Sequence, residues 1–142
     1  MSRPQLAMLE AGLELPARGH TPDTVQLFLY NAVLWNAHRI HFDLPYTTEV
    51  EGYPGLVIAG PLMGDWLAQC VDEWLGDSGA LVRLEYANRR AAYVGETLTA
   101  GGTVESVDRE RGEVTLALFV RNEAGEVIVP GRAVVRFGAT LP

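Results

Sequence analysis

Apolar residues recur at helical spacing over Val25, Phe28, Leu29, Ala32 and Val33, which predicts a first amphipathic helix with one apolar face. Its start is set at Thr21 as N-cap, with Pro22 at the first helical position and Asp23 complementing the helix dipole. The helix delivers the chain to Asn36–Asp43. Residues 44–60 read as loop and short extended structure, because Pro45, Gly52, Pro54, Gly55 and Gly60 forbid a continuous helix. From Pro61 the apolar residues come in pairs every fourth position: Leu62/Met63, Trp66/Leu67, Cys70/Val71 and Trp74/Leu75. Such a wide stripe predicts a buried helix running to about Leu75, with Gly76 as its stop.

After Gly79 the pattern turns to β. Leu81–Ala87, Thr97–Val107, Val114–Arg121 and Val127–Phe137 are rich in Val, Leu, Thr and aromatic residues, with partial alternation. Asp108–Gly112 and Asn122–Gly125 are hairpin turns by composition. Residues 1–20, with Pro4, Pro16 and Gly19, predict an edge strand or an arm. A helical first half followed by an antiparallel meander is an α+β pattern, one domain over 1–142, with a long helix packed on one sheet. Such a sheet has open edges, and a dimer buries them. The expectation is a homodimer, or a heterodimer with a related chain.

Bulk properties narrow the function classes. The chain of 142 residues is long enough to bury roughly two thirds of its unfolded surface. A net charge of −7 argues against nucleic acid as a partner, because phosphate backbones need a basic face. The single cysteine, Cys70, allows no internal disulfide and suits a reducing, cytoplasmic location. Glu10, Glu14 and Pro16 interrupt the N-terminal apolar stretch, so no secretory signal is read there. No apolar run reaches the roughly 20 residues of a membrane helix.

The run Trp35-Asn36-Ala37-His38-Arg39-Ile40-His41-Phe42-Asp43 places two imidazoles, an amide and a carboxylate in one short segment. An imidazole beside Asn36 and Asp43 can be held in one tautomer, as a general base requires, which makes His41 the candidate. His38 and His41 can share a helical face, but a zinc site needs a third ligand that the sequence does not supply nearby, so no metal is expected. Glu51-Gly52-Tyr53-Pro54-Gly55-Leu56-Val57 then leads to Gly60-Pro61-Leu62, where N–H groups of Gly60 and Leu62 at a helix start can polarise a carbonyl. Arg89 and Arg90 read either as a solvated turn or as a phosphate contact. Trp35, Trp66 and Trp74 are read as core, and Cys70 as packing. No G-x-S-x-G, P-loop or G-x-G-x-x-G is present.

These segments resemble the MaoC-like hydratases and dehydratases of the hot-dog fold, whose hydratase motif has the form S/T-G-D-x-N-P-[IL]-H-x-D. They are more similar to a branch with N-x-H-R-I-H-[YF]-D followed by E-G-Y-P-G-L-V and G-P-L, which includes mesaconyl-CoA hydratases and mitochondrial 3-hydroxyacyl-thioester dehydratases. The resemblance is strong over residues 21–62 and weaker over Arg89–Gly95. It implies a long helix, Pro61–Leu75, wrapped by an antiparallel sheet, and reversible hydration of a 2-enoyl thioester. The substrate would be carried on coenzyme A or on the phosphopantetheine of an acyl carrier protein, with no other cofactor. His41 falls on the catalytic histidine, Asn36 on a position that is Asp in the wider family, and Gly60 on the donor to the thioester carbonyl. His38, Arg39, Asp43, Tyr53, Leu62, Arg89 and Arg90 complete the expected site as substrate-binding residues. Asn36 cannot take a proton, and Ala59 stands where many relatives carry His. Two-domain relatives hold a second hot-dog unit, which a partner subunit would supply here. The alternatives are a hot-dog thioesterase using Asp65 or Glu73, and a non-catalytic acyl-thioester-binding subunit.

Overall fold

A computed structural model describes residues 3–138; the remaining ends of the predicted 1–142 domain lie outside the described residues. The elements follow in the order β1 (Arg18–His20), α1 (Thr24–Val33), α2 (Gly60–Leu75), β2 (Gly79–Tyr86), β3 (Leu98–Asp108), β4 (Glu113–Arg121) and β5 (Val127–Phe137). The strands form one antiparallel sheet in the order β1-β3-β4-β5-β2. Strand β4 shows why the sheet has a single core face. Val114, Leu116, Leu118 and Val120 alternate inward, and the residues between them do not. Shifts of register at Leu81/Arg83 and Val104/Ser106 are the bulges that let the sheet curl.

Helix α2 fills the concave side. Every member of its paired stripe is buried, from Leu62 and Met63 to Trp74 and Leu75. The predicted stop is real: Gly76 closes the helix at φ 52°, a backbone conformation that costs glycine nothing. No helix among the described residues is long and apolar enough to cross a membrane.

The N-terminal arm seals one edge. Gly12 N–H donates to the Val104 carbonyl, Val104 N–H to Leu13 and Leu15 N–H to Gly102, each at 2.8 Å, so the arm extends β1 along the outer side of β3. Among the described residues the opposite edge, β2, pairs only with β5.

The structure departs from the sequence reading at Thr21, on the face of α1, at Trp35 and within 44–60. Helix α1 is capped by Asp23, whose carboxylate accepts from Gln26 N–H at 2.7 Å. Thr21 instead pairs its hydroxyl with that of Thr97 at 2.9 Å. The apolar face of α1 does not enter the core: Leu27 and Asn31 point inward, while Val25, Phe28, Leu29 and Val33 are 54–79% exposed. The Asp23 cap and the tether from Tyr30 to Asp65 on α2 (2.8 Å) fix the helix rotation that leaves this face outside. Trp35, read as core, is 94% exposed at φ 54°, whereas Trp66 and Trp74 are buried as expected. Within 44–60, read as loop and short extended structure, Pro45 caps a single π-helical turn, Tyr46–Val50, around the buried Thr47, and no continuous helix forms.

Candidate active site

His41 is built in from both sides. Ile40 is buried, and its carbonyl accepts from Val57 N–H at 2.9 Å. The Val57 carbonyl in turn lies 2.7 Å from His41 Nδ1. A carbonyl oxygen can only accept, so Nδ1 carries the proton and Nε2 the lone pair. Nε2 has no hydrogen-bond partner among the described residues and is not an occluded polar atom, so it is reachable from solvent. The tautomer is therefore set by a backbone carbonyl, where the sequence suggested Asp43.

Burial pulls the His41 pKa below its ordinary 6.5, with the hydrogen bond to Val57 opposing and the nearby His38 assisting. The neutral ring is the form the fold favours. As pH falls below 6.5 an unfolded chain takes up this proton before the folded one, so the associated stability is lost toward acid. The same shift keeps Nε2 free at neutral pH. The acid limb of kcat/KM for a reaction that uses it as base is expected below pH 6.5. A pH–rate profile with its acid limb above that value would contradict this assignment.

A cleft of 340 Å³ gathers His41, Gly60, Pro61, Asn88, Arg89 and Arg90. Gly60, first residue of α2, has an N–H with no acceptor among the described residues. Pro61 has none to offer. The Leu62 N–H, expected to serve the site, donates to the Ala59 carbonyl at 3.1 Å, and the Leu62 side chain is buried. The candidate carbonyl donor of the helix start therefore reduces to Gly60. Arg89 and Arg90 both anchor their N–H on the Ile128 carbonyl, at 2.9 and 3.3 Å. Arg90 pairs with Glu126 at 2.8 Å, whereas Arg89 has no ion pair among the described residues.

The other predicted residues stand apart from this cleft. Arg39 and Asp43 satisfy each other at 2.6 Å, with the guanidinium 4.1 Å above the Tyr46 ring. Arg39 and the Tyr46 N–H hold the Asp43 carboxyl below its usual range, and Asp43 makes no bond to His41. The His38 ring meets His41 edge to face at 5.7 Å and is exposed. Among the described residues no three metal-binding side chains gather there or elsewhere. Asn36 Oδ1 accepts from His38 N–H at 3.1 Å, and the residue lines a separate pocket of 290 Å³ with Asn31 and Trp35. Tyr53 packs on Tyr93 at 6.3 Å. Of the helix carboxylates, Asp65 takes the Tyr30 hydroxyl and Glu73 pairs with Arg18, and neither lines the cleft. Asn88 does line it and escaped the sequence reading, which stopped at the two arginines beside it.

A family model described as hydroxyacyl-thioester dehydratase type 2 matches residues 12–94, more than half of the 142-residue chain. The chain belongs to this family. It is also similar to the mesaconyl-C(4)-CoA hydratase of Chloroflexus aurantiacus, 57% identical over 42 residues. That match covers 30% of this chain and 15% of the relative, so the chain corresponds to a small part of that protein's length. Among solved structures, an (R)-hydratase from A. caviae involved in PHA biosynthesis superposes with a TM-score of 0.84 at 18% identity, covering 92% of this chain and 98% of that one. A MaoC-like dehydratase reaches 0.87 at 24% identity, covering 96% of this chain and 43% of that one. The likeness establishes the hot-dog fold: a long helix held in a curled antiparallel sheet.

Proposed function

We propose that this protein reversibly adds water across the double bond of a 2-enoyl thioester, giving a 3-hydroxyacyl thioester. The observation that carries the proposal is the pairing, in one cleft, of a tautomer-fixed histidine with a free helix-start N–H. In hydration, His41 Nε2 takes a proton as the water oxygen bonds to C3. The alkene electrons shift through C2 to the thioester oxygen, where the Gly60 N–H meets the developing charge. His41 returns the proton to C2, and dehydration is the reverse. Asn36, whose Oδ1 is committed to His38 and which lines a separate pocket, takes no step in this reading. Arg89 supplies the charge for a phosphate of coenzyme A or phosphopantetheine. Incubation with an enoyl-CoA in heavy-oxygen water is expected to label C3 of the product without releasing thiol. Thiol release with the label in the freed carboxylate and none at C3 would favour a thioesterase.

Assembly belongs to the same proposal. The β2 edge is unpaired on one side among the described residues, and the face of α1 carries the exposed Val25, Phe28, Leu29 and Val33. A second hot-dog unit, another copy or a related chain, covers them. The MaoC-like dehydratase chain, of which this chain covers 43%, is long enough for such a second unit. Light scattering is expected to give a dimer for the protein alone or with its related chain, and Phe28→Glu on the α1 face to dissociate it. A monodisperse monomer under both conditions would remove this part. A cytoplasmic location completes the reading, supported by the single buried thiol of Cys70, and cell fractionation decides it.

A further inference from the structure

A single donor is a thin cradle for an enolate oxygen, and the helix start offers only one. Pro61 has no N–H, and that of Leu62 is turned back on Ala59. The neighbour that comes closest to Gly60 is the side chain of Asn88. A methyl group on Gly60 would lie 2.3 Å from Asn88 Nδ2 and 3.3 Å from its Oδ1, so the amide rests on the glycine with its nitrogen end nearer. The glycine at this position thus makes room for that amide.

The backbone around Asn88 is pinned on both sides. Ala87 N–H donates to Pro130 at 3.1 Å and Arg89 N–H to Ile128 at 2.9 Å. The exposed side-chain amide itself has no hydrogen bond to the described chain, and Asn88 follows strand β2 and lines the same cleft as His41. A fixed backbone with an uncommitted donor is what a preorganised oxyanion site requires.

Resting on the hydratase reading, we infer that Asn88 is a further catalytic residue: its Nδ2–H and the Gly60 N–H together hold the thioester oxygen. Each N–H strengthens its bond as negative charge builds on that oxygen, and neither gains or loses a proton. His41 remains the only base.

The test uses 4-dimethylaminocinnamoyl-CoA, whose absorption moves to the red when its carbonyl is polarised, together with turnover of a plain enoyl-CoA. The intact protein is expected to shift the bound probe. Asn88→Ala should lose most of the shift and lower kcat by about 10²–10³-fold, the usual effect of removing one oxyanion donor. Its affinity for free coenzyme A and the acid limb set by His41 should stay in place. Asn88→Asp, the same size but an acceptor when ionised, should be worse than alanine, which a loss of packing alone would not produce. A probe that does not shift with the intact protein, or a shift and rate retained in Asn88→Ala, would overturn the inference. A protein that shifts the probe in an Asn88-dependent way but hydrates nothing would refute the hydratase reading and leave the donor assignment standing.

Discussion

Replacing His41 with alanine is expected to lower kcat for enoyl-thioester hydration by about 10²–10⁴-fold, the range general acid–base catalysis supplies. The loss should fall on kcat with little change in KM, because in the proposed reaction the ring acts on the water and the reacting carbons instead of the carrier. No other side chain in the cleft can take over. Asn88 is an amide, the guanidinium groups of Arg89 and Arg90 are donors only, and Asp43 lies outside the cleft, tied to Arg39. The variant also strips the Val57 carbonyl of its partner, so a modest fall in stability, about 1–3 kcal/mol, accompanies the loss. Circular dichroism separates the two effects. A folded variant with near wild-type turnover would take His41 out of the reaction.

The second large effect is on the fold that aims the site. Leu67 is fully buried at the centre of α2, and its Cδ1 presses on Gly131 of β5, 2.9 Å from where a methyl on that glycine would sit. Leu67→Ala is expected to lower stability by about 3 kcal/mol, within the usual range for truncating a buried leucine. That corresponds to a fall in Tm of roughly 10 °C for a domain of this size. Thermal unfolding measures it. The acid limb of the pH–rate profile should not move, because the Val57 carbonyl that sets the His41 tautomer lies on another segment. A shift below about 1 kcal/mol would mean the helix is less tightly held than its burial indicates.

The parts legible in the sequence were those where a local pattern and the tertiary environment agree. The paired stripe of α2 fixed both its length and its buried face, and Gly76 ended it. The hairpin turns placed the long strands within a residue or two. The first helix was legible as a helix but not in its orientation. Its apolar stripe marked one face, and the Asp23 cap and the Tyr30–Asp65 bond turn Leu27 and Asn31 inward and leave that face outside. Hydrophobic periodicity reports that a face is buried somewhere, not that the same chain buries it. At the site, His41 and Gly60 were found by motif and helix-start logic, and the structure brings them into one cleft. The Asp43 partner was not, because proximity in sequence says little about direction: the single turn Arg39–His41 sends Asp43 to Arg39 and hands His41 to Val57, sixteen positions on. Asn88 had no sequence signal at all. Its relevance arises only when the strand exit after β2 folds over the start of α2.

The decisive measurement is the loss of enoyl absorbance when purified protein is given crotonyl-, octenoyl-, mesaconyl- and cinnamoyl-CoA, with His41→Ala in parallel and a related hot-dog chain added where one co-purifies. Hydration of at least one thioester, abolished in the variant, is the expected outcome. A protein that leaves every thioester unhydrated with its partner present, or a variant that hydrates as well as the parent, would refute the assignment of this cleft to water addition.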